Sequence, residues 1–174
     1  MSVASLSQIM PPPPVPIDAV GDWGDVERAI GTNLPNDFKN FIELYGSGTI
    51  GRFITVYNPF SFRTEINLID QSRRQLSALQ ELREEFTWDR VYSLYPNPGG
   101  LFPVAVTDNG DFIYWLTEGI PDEWTIVVNE SRGPDYEVFG FSLTFFLKKV
   151  IDKSVRCRAF PENLFGNHVE FFPI

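Results

Sequence analysis

The strongest chemical groups in this 174-residue sequence are one thiol and one imidazole, Cys157 and His168. Nucleophilic catalysis needs a thiol or hydroxyl held against a base, and the spacing of this pair carries no such signature. Cys157 follows a helical stretch and lies between Arg156 and Arg158, cations that favour a thiolate where the thiol is exposed; the plainer reading is a bystander. His168 reads as a surface residue. A metal site needs several convergent ligands. With one His and one Cys it would have to be built from carboxylates, and Asp108 and Asp111 read as turn residues rather than ligands. No metal and no cofactor are expected. Among 23 acids some carboxylates always lie near one another, so their abundance is a weak sign of acid–base catalysis, and a small acid-using hydrolase rests on nothing else. The glycines at 46 and 48, or at 99 and 100, do not open a helix after a strand at phosphate-loop spacing. The chain is not expected to be an enzyme or to take a small-molecule substrate.

The distribution of charge says more. The formal net charge is −9, which disfavours phosphate backbones and anionic membrane surfaces alike. Residues 105–137 hold eight acids against the single base Arg132, a balance of −7. Turn solvation explains part of this. The sharper reading is an electronegative rim that steers a basic protein by long-range attraction. Its candidate contact residues are Asp108, Asp111, Glu118, Asp122, Glu123 and Glu130, with Tyr114 as an aromatic contact. Neither a membrane-spanning apolar run nor a secretory leader is visible, and the lone cysteine cannot close an intramolecular disulfide. These features lead to an expectation of a cytoplasmic protein.

The elements that must position these residues follow from pattern. Residues 101–117 read as two strands joined by Asn109-Gly110, a dipeptide suited to a two-residue type I′ turn. That turn would set Asp108 against Asp111, Val106 against Ile113 and Val104 against Trp115. Val104, Val106, Ile113 and Trp115 would then share the core face. Ala105, Thr107, Phe112 and Tyr114 would share a second face that is either covered or offered to a partner. Asp22 caps a helix over 23–30 that Gly31 ends, and Pro35 opens another over 35–45 with Phe38, Phe41, Ile42 and Tyr45 inward. A strand is expected over 53–57. A longer helix is expected over 67–86 with Leu68, Leu76, Leu79, Leu82 and Phe86 inward. Further strands over 124–128 and 135–139 precede a helix over 143–151 capped by Ser142, and a short β-like stretch follows over 169–172. Trp23, Trp115 and Trp124 read as core, and packing is the default for Trp88 and Tyr92 as well. With 16 Phe the core is built on rings. Residues 1–17, with Pro-Pro-Pro-Pro-Val-Pro, read as a flexible Pro-rich arm that joins no core. Residues 18–174 read as one domain. The order of elements predicts an α+β fold, an antiparallel sheet with helices packed mainly on one face.

Two stretches carry a further pattern. The first is Trp23-x-x-Val26-Glu27, Leu34-Pro35-x-Asp37-Phe38-Lys39 and Tyr45-Gly46-x-Gly48. The second is Gly100-Leu101-x-Pro103, Asn109-Gly110-Asp111, Tyr114-Trp115 and Trp124-x-Ile126-Val127-Val128, followed by a closing helix with Phe145-Phe146-Leu147. In order and spacing these resemble the SUKH superfamily (Smi/Knr-like domains), which includes yeast cell-wall regulators and many bacterial immunity proteins. The resemblance implies an α+β fold and a non-catalytic role. In bacteria that role is typically to bind and neutralise a cognate toxin, often a nuclease. The alternative it implies is a regulatory or scaffold module of the cell-wall-regulator type. The Pro-rich segment and the C-terminal extension after Ile151 lie outside the pattern.

Overall fold

The computed structural model describes residues 3–86, 91–131, 133, 135–166 and 168–174. Helices α1 (Val3–Ser7), α2 (Trp23–Ile30) and α3 (Asn36–Tyr45) come first. Strands β1 (Gly48–Ile50) and β2 (Ile54–Val56), helix α4 (Leu68–Glu85), and strands β3 (Leu101–Thr107), β4 (Phe112–Leu116), β5 (Thr125–Asn129) and β6 (Tyr136–Phe139) follow. Helix α5 (Leu143–Ile151) and strand β7 (Phe171–Pro173) complete the chain. The sheet order is β6-β5-β4-β3-β2-β1-β7, with every pairing antiparallel. The α+β architecture is as expected.

The central hairpin closes differently from a type I′ turn. Asn109 keeps a negative φ, and only Gly110 enters the left-handed region, at φ 87°. Gly110 N donates to Thr107 O at 2.9 Å, and Thr107 N to Asp111 O at 2.9 Å. The loop is therefore three residues, a tight turn followed by a left-handed glycine. Thr107, not Asp108, faces Asp111, and the pairs become Val106 with Phe112 and Ala105 with Ile113. A bulge between Pro103 and Ala105 then resets the register, so that Phe102, not Val104, faces Trp115. Pro103 has no N–H for the ladder and sits in a central strand because the ladder is interrupted there.

Both faces of the sheet are covered. The main core joins Ala105, Ile113, Trp115, Ile126 and Val128 to side chains from α1, α2, α3 and α5. The second face, with Leu101, Tyr114 and Val127, lies under Leu76 and Leu79 of α4. The inward stripe of α4 is Leu68, Ser72, Gln75 and Arg83, together with the partly buried Leu76 and Leu79. Leu82 and Phe86, expected inside, are 37% and 43% exposed. Trp115 and Trp124 are buried and Trp23 packs against the core. Trp88 and Arg132 lie outside the described residues.

The segment expected to be a free arm is built into the domain. Leu6 and Met10 are fully buried, Tyr45 Oη donates to the Met10 carbonyl at 2.6 Å, and Ser47 N donates to Ile17 O at 2.7 Å. A Cβ on Gly46 would lie 2.1 Å from Ile17 O, so glycine is what allows that approach. The C-terminal extension closes the same core through Phe160, Phe165, Val169 and Phe171, and β7 pairs with β1.

Candidate protein-binding surface

Strand reversal divides the acidic stretch. The turn between β3 and β4 and the turn between β5 and β6 meet at one end of the sheet, where Ser131 N donates to Asp111 Oδ1 at 3.0 Å and Ser131 Oγ to Asn109 O at 3.1 Å. Asp108 and Glu130 are exposed there. Glu118, Asp122 and Glu123 lie on the β4–β5 connection at the opposite end, one strand length away, about 17 Å for five residues. The seven candidate residues do not form a single surface.

Two of the seven are interior. Asp111 is 2% exposed; besides holding Ser131, its Oδ2 accepts from Thr107 Oγ1 at 2.8 Å. It ties two turns together and offers nothing to a partner. Tyr114 is fully buried in the layer under α4 with Leu94, Leu101 and Val127. A third, Asp122, is exposed but committed. Its Oδ1 accepts from the Asn36 backbone N–H at 2.7 Å and its Oδ2 from Asn36 Nδ2 at 2.6 Å. Pro35 supplies no side-chain cap to α3, so an acid from 86 residues away supplies it. α5 is treated the same way. Ser142 occupies the cap position without a side-chain bond, and Asp37 Oδ2 accepts from Thr144 N at 2.9 Å and from Thr144 Oγ1 at 3.0 Å.

Four of the seven remain, Asp108 and Glu130 at the turn end and Glu118 and Glu123 at the loop end; Ile120 beside the latter pair is 62% exposed. Next to that pair opens a cleft of about 590 Å³. One wall is the 92–99 loop with Tyr92, Tyr95, Pro96, Asn97 and Pro98; the other is Leu116, Glu118 and Trp124, with Thr32 closing the side. The walls are bonded to each other. Gly99 N donates to Thr117 O at 3.0 Å, and Thr117 returns both its N–H and its Oγ1 to Gly100 O. Tyr95 Oη donates to Ile30 O at 2.9 Å, fixing the loop to the end of α2. Gly100 packs so close to Leu94 that a Cβ would lie 2.4 Å from its carbonyl carbon. The Trp124 Nε1–H is buried without a hydrogen-bond partner among the described residues. Among the described residues Glu118 is the only charged one lining the cleft, and it forms no ion pair with any of them. An adjoining hollow holds Lys39, whose Nζ is already 2.5 Å from Glu27 Oε1.

The turn end has mixed charge. Asp108 N donates to Phe53 O at 2.8 Å, which brings Arg52 alongside with its guanidinium 4.2 Å from the centre of the Phe172 ring. Arg158 Nε lies 3.7 Å from Glu137 Oε2.

The remaining reactive groups stand apart. Cys157 is buried on a pocket of about 220 Å³ with Val150, Phe160 and Phe165, and burial pushes its thiol up to about 12. His168 Nε2 is 4.0 Å from Glu170 Oε1 on the surface. No group of three metal-ligating side chains occurs among the described residues. No helix among them is long and apolar enough to cross a membrane.

A protein-family model, SUKH_6, described as SMI1-KNR4 cell-wall, matches residues 21–147. The chain belongs to the SUKH family. Comparison with curated proteins and with solved structures returned no significant match. The family match runs from α2 into α5 and takes in every wall of the cleft. Outside it lie α1 with the Pro-rich segment, and the segment that ends in β7. Both segments outside the match contribute side chains to the main core.

Proposed function

We propose that this SUKH domain is a non-catalytic, stoichiometric protein-binding module of the immunity type, acting in the cytoplasm to neutralise a basic protein toxin such as a nuclease. One observation carries the reading: Glu118 and Glu123 stand exposed beside an open cleft, next to the exposed Ile120, and no cation lies within residues 117–124. Acids at an apolar-centred rim accelerate encounter with a basic partner, while the buried centre holds the complex. Asp122 belongs to the same rim but its carboxylate serves α3. The site is therefore narrower than the acidic stretch as a whole.

The test is co-expression. The C-terminal domain of the protein encoded next to this one is produced in a bacterial host with and without the SUKH domain, and growth is followed. Rescue of growth together with a 1:1 complex on gel filtration supports the reading. Toxicity without rescue, or no toxicity, removes it.

A regulatory role is the second reading, and the surface of the Pro-rich region favours it. Val15 and Val20 are largely exposed there, and Phe62 is 96% exposed. A host protein captured by the wild type but not by Val15→Ser/Val20→Ser would move the function to this face.

A further inference from the structure

We propose that the cleft between the 92–99 loop and the β4–β5 connection receives an arginine side chain of the partner, carried on an exposed loop. This rests on the protein-binding reading above and names the group that would anchor it. The cleft has the ingredients of a guanidinium site. Among the described residues its only ionised lining group is Glu118, and that carboxylate has no ion pair among them. The Tyr92 and Tyr95 rings and Pro96 give it apolar walls, and a guanidinium stacks on aromatic rings while a carboxylate takes its N–H groups in parallel. A lysine ammonium is more strongly hydrated and loses more on entering such walls.

Two further features fit an arginine that arrives on a peptide segment rather than as a free ion. The volume of about 590 Å³ is in the range that encloses a ligand much larger than one guanidinium. Trp124 also lines the cleft, but its Nε1–H is enclosed beneath the surface, so the indole serves as a reporter in the wall rather than as a contact group. The bonds joining Gly99, Gly100 and Thr117 hold the walls in place beforehand, which lowers the ordering cost of binding. The cation of the neighbouring groove does not fill the site. Arg83 is buried, and its Nη1 donates to Tyr92 O at 2.7 Å.

The experiment uses the full ¹⁵N-labelled chain and two small probes at low ionic strength. These are N-acetyl-arginine methylamide and its neutral isostere N-acetyl-citrulline methylamide. The Trp124 indole cross-peak is assigned with Trp124→Phe. The arginine probe should move that cross-peak and the amides of Tyr92 and Glu118 saturably. Glu118→Gln should weaken the response about tenfold, and citrulline should leave the cross-peaks in place. No movement at tens of millimolar probe, an equal response to citrulline, or an unchanged response in Glu118→Gln overturns the assignment. The two ideas fail separately. Loss of the probe response with an intact 1:1 toxin complex leaves the immunity reading standing on another anchor. A specific probe response with no toxin rescue leaves the cleft and removes the immunity role.

Discussion

Asp122 and Asp111 look alike in sequence and do different work from Glu118. Asp122 supplies the missing cap of α3. Asp122→Ala should therefore cost about 1 kcal/mol of stability, read as a lower urea midpoint with unchanged slope, as for other helix caps. Local sequence could not reveal this, because the donor and acceptor lie 86 residues apart and each looks like an ordinary surface polar residue. Asp111 is hidden for a related reason: turn residues are usually solvated, and only the second turn, arriving with Ser131, encloses it. Asp152 carries a pH dependence. Burial raises its carboxyl, but hydrogen bonds from Lys148 and Ser154 outweigh that and hold it at about 2, against an ordinary 3.8. A depressed acid contributes stability above its unfolded value and loses it as pH falls through the folded one. The stability difference between wild type and Asp152→Asn, present at pH 6, should vanish as the pH drops from about 4 to about 2, followed by denaturant melts across that range.

At the scale of elements, helices with local punctuation were legible. Asp22 and Gly31 bound α2 as expected, with Asp22 accepting from Asp25 N and Gly31 at φ 91°. The central hairpin was legible as a hairpin but not in register. Asn-Gly fits a two-residue turn, yet Thr107 bonds to Asp111 through both its backbone and its side chain, and that pair fixes the three-residue loop. Gly110→Ala should cost about 1–2 kcal/mol, because the left-handed conformation crowds a Cβ; a thermal melt would show it. The α4 stripe was misread because hydrophobicity alone picked Leu82 and Phe86, whereas the face that meets the sheet includes Ser72, Gln75 and Arg83. Gln75 is drawn in by Tyr57, to whose hydroxyl its Nε2 donates. α1 was missed although Val3, Leu6, Ile9 and Met10 fall close to helical spacing. The proline run beside them signalled an extended arm, and in the fold Met10 and Ile17 pin both of its ends.

The whole molecule decides what the acidic stretch can be. Charge was concentrated in the sequence, but strands of four to seven residues reverse so often that neighbours in the chain alternate between the two ends of the sheet. The loop end couples exposed acids to the larger cleft, whereas the turn end, where Glu130, Asp135 and Glu137 line a pocket of only about 70 Å³, interleaves them with Arg52 and Arg158. The same view makes the two segments outside the family match integral to the fold. Removing residues 152–174 deletes Phe160, Phe165, Val169 and Phe171 from the main core. At about 2–5 kcal/mol per buried apolar side chain, that loss rivals the total stability of a domain, so this truncation should abolish the cooperative thermal transition. The most direct measurement of the central claim is the affinity for the proposed toxin partner, titrated by calorimetry at low and high salt. Three proteins are compared: wild type, Glu118→Lys/Glu123→Lys, and the opposite-end control Asp108→Lys/Glu130→Lys. The account predicts a large loss of affinity for the first double variant, a near-normal value for the control, and a salt dependence that the first variant largely removes. Equal affinity for wild type and Glu118→Lys/Glu123→Lys, or a loss confined to the control, would contradict it.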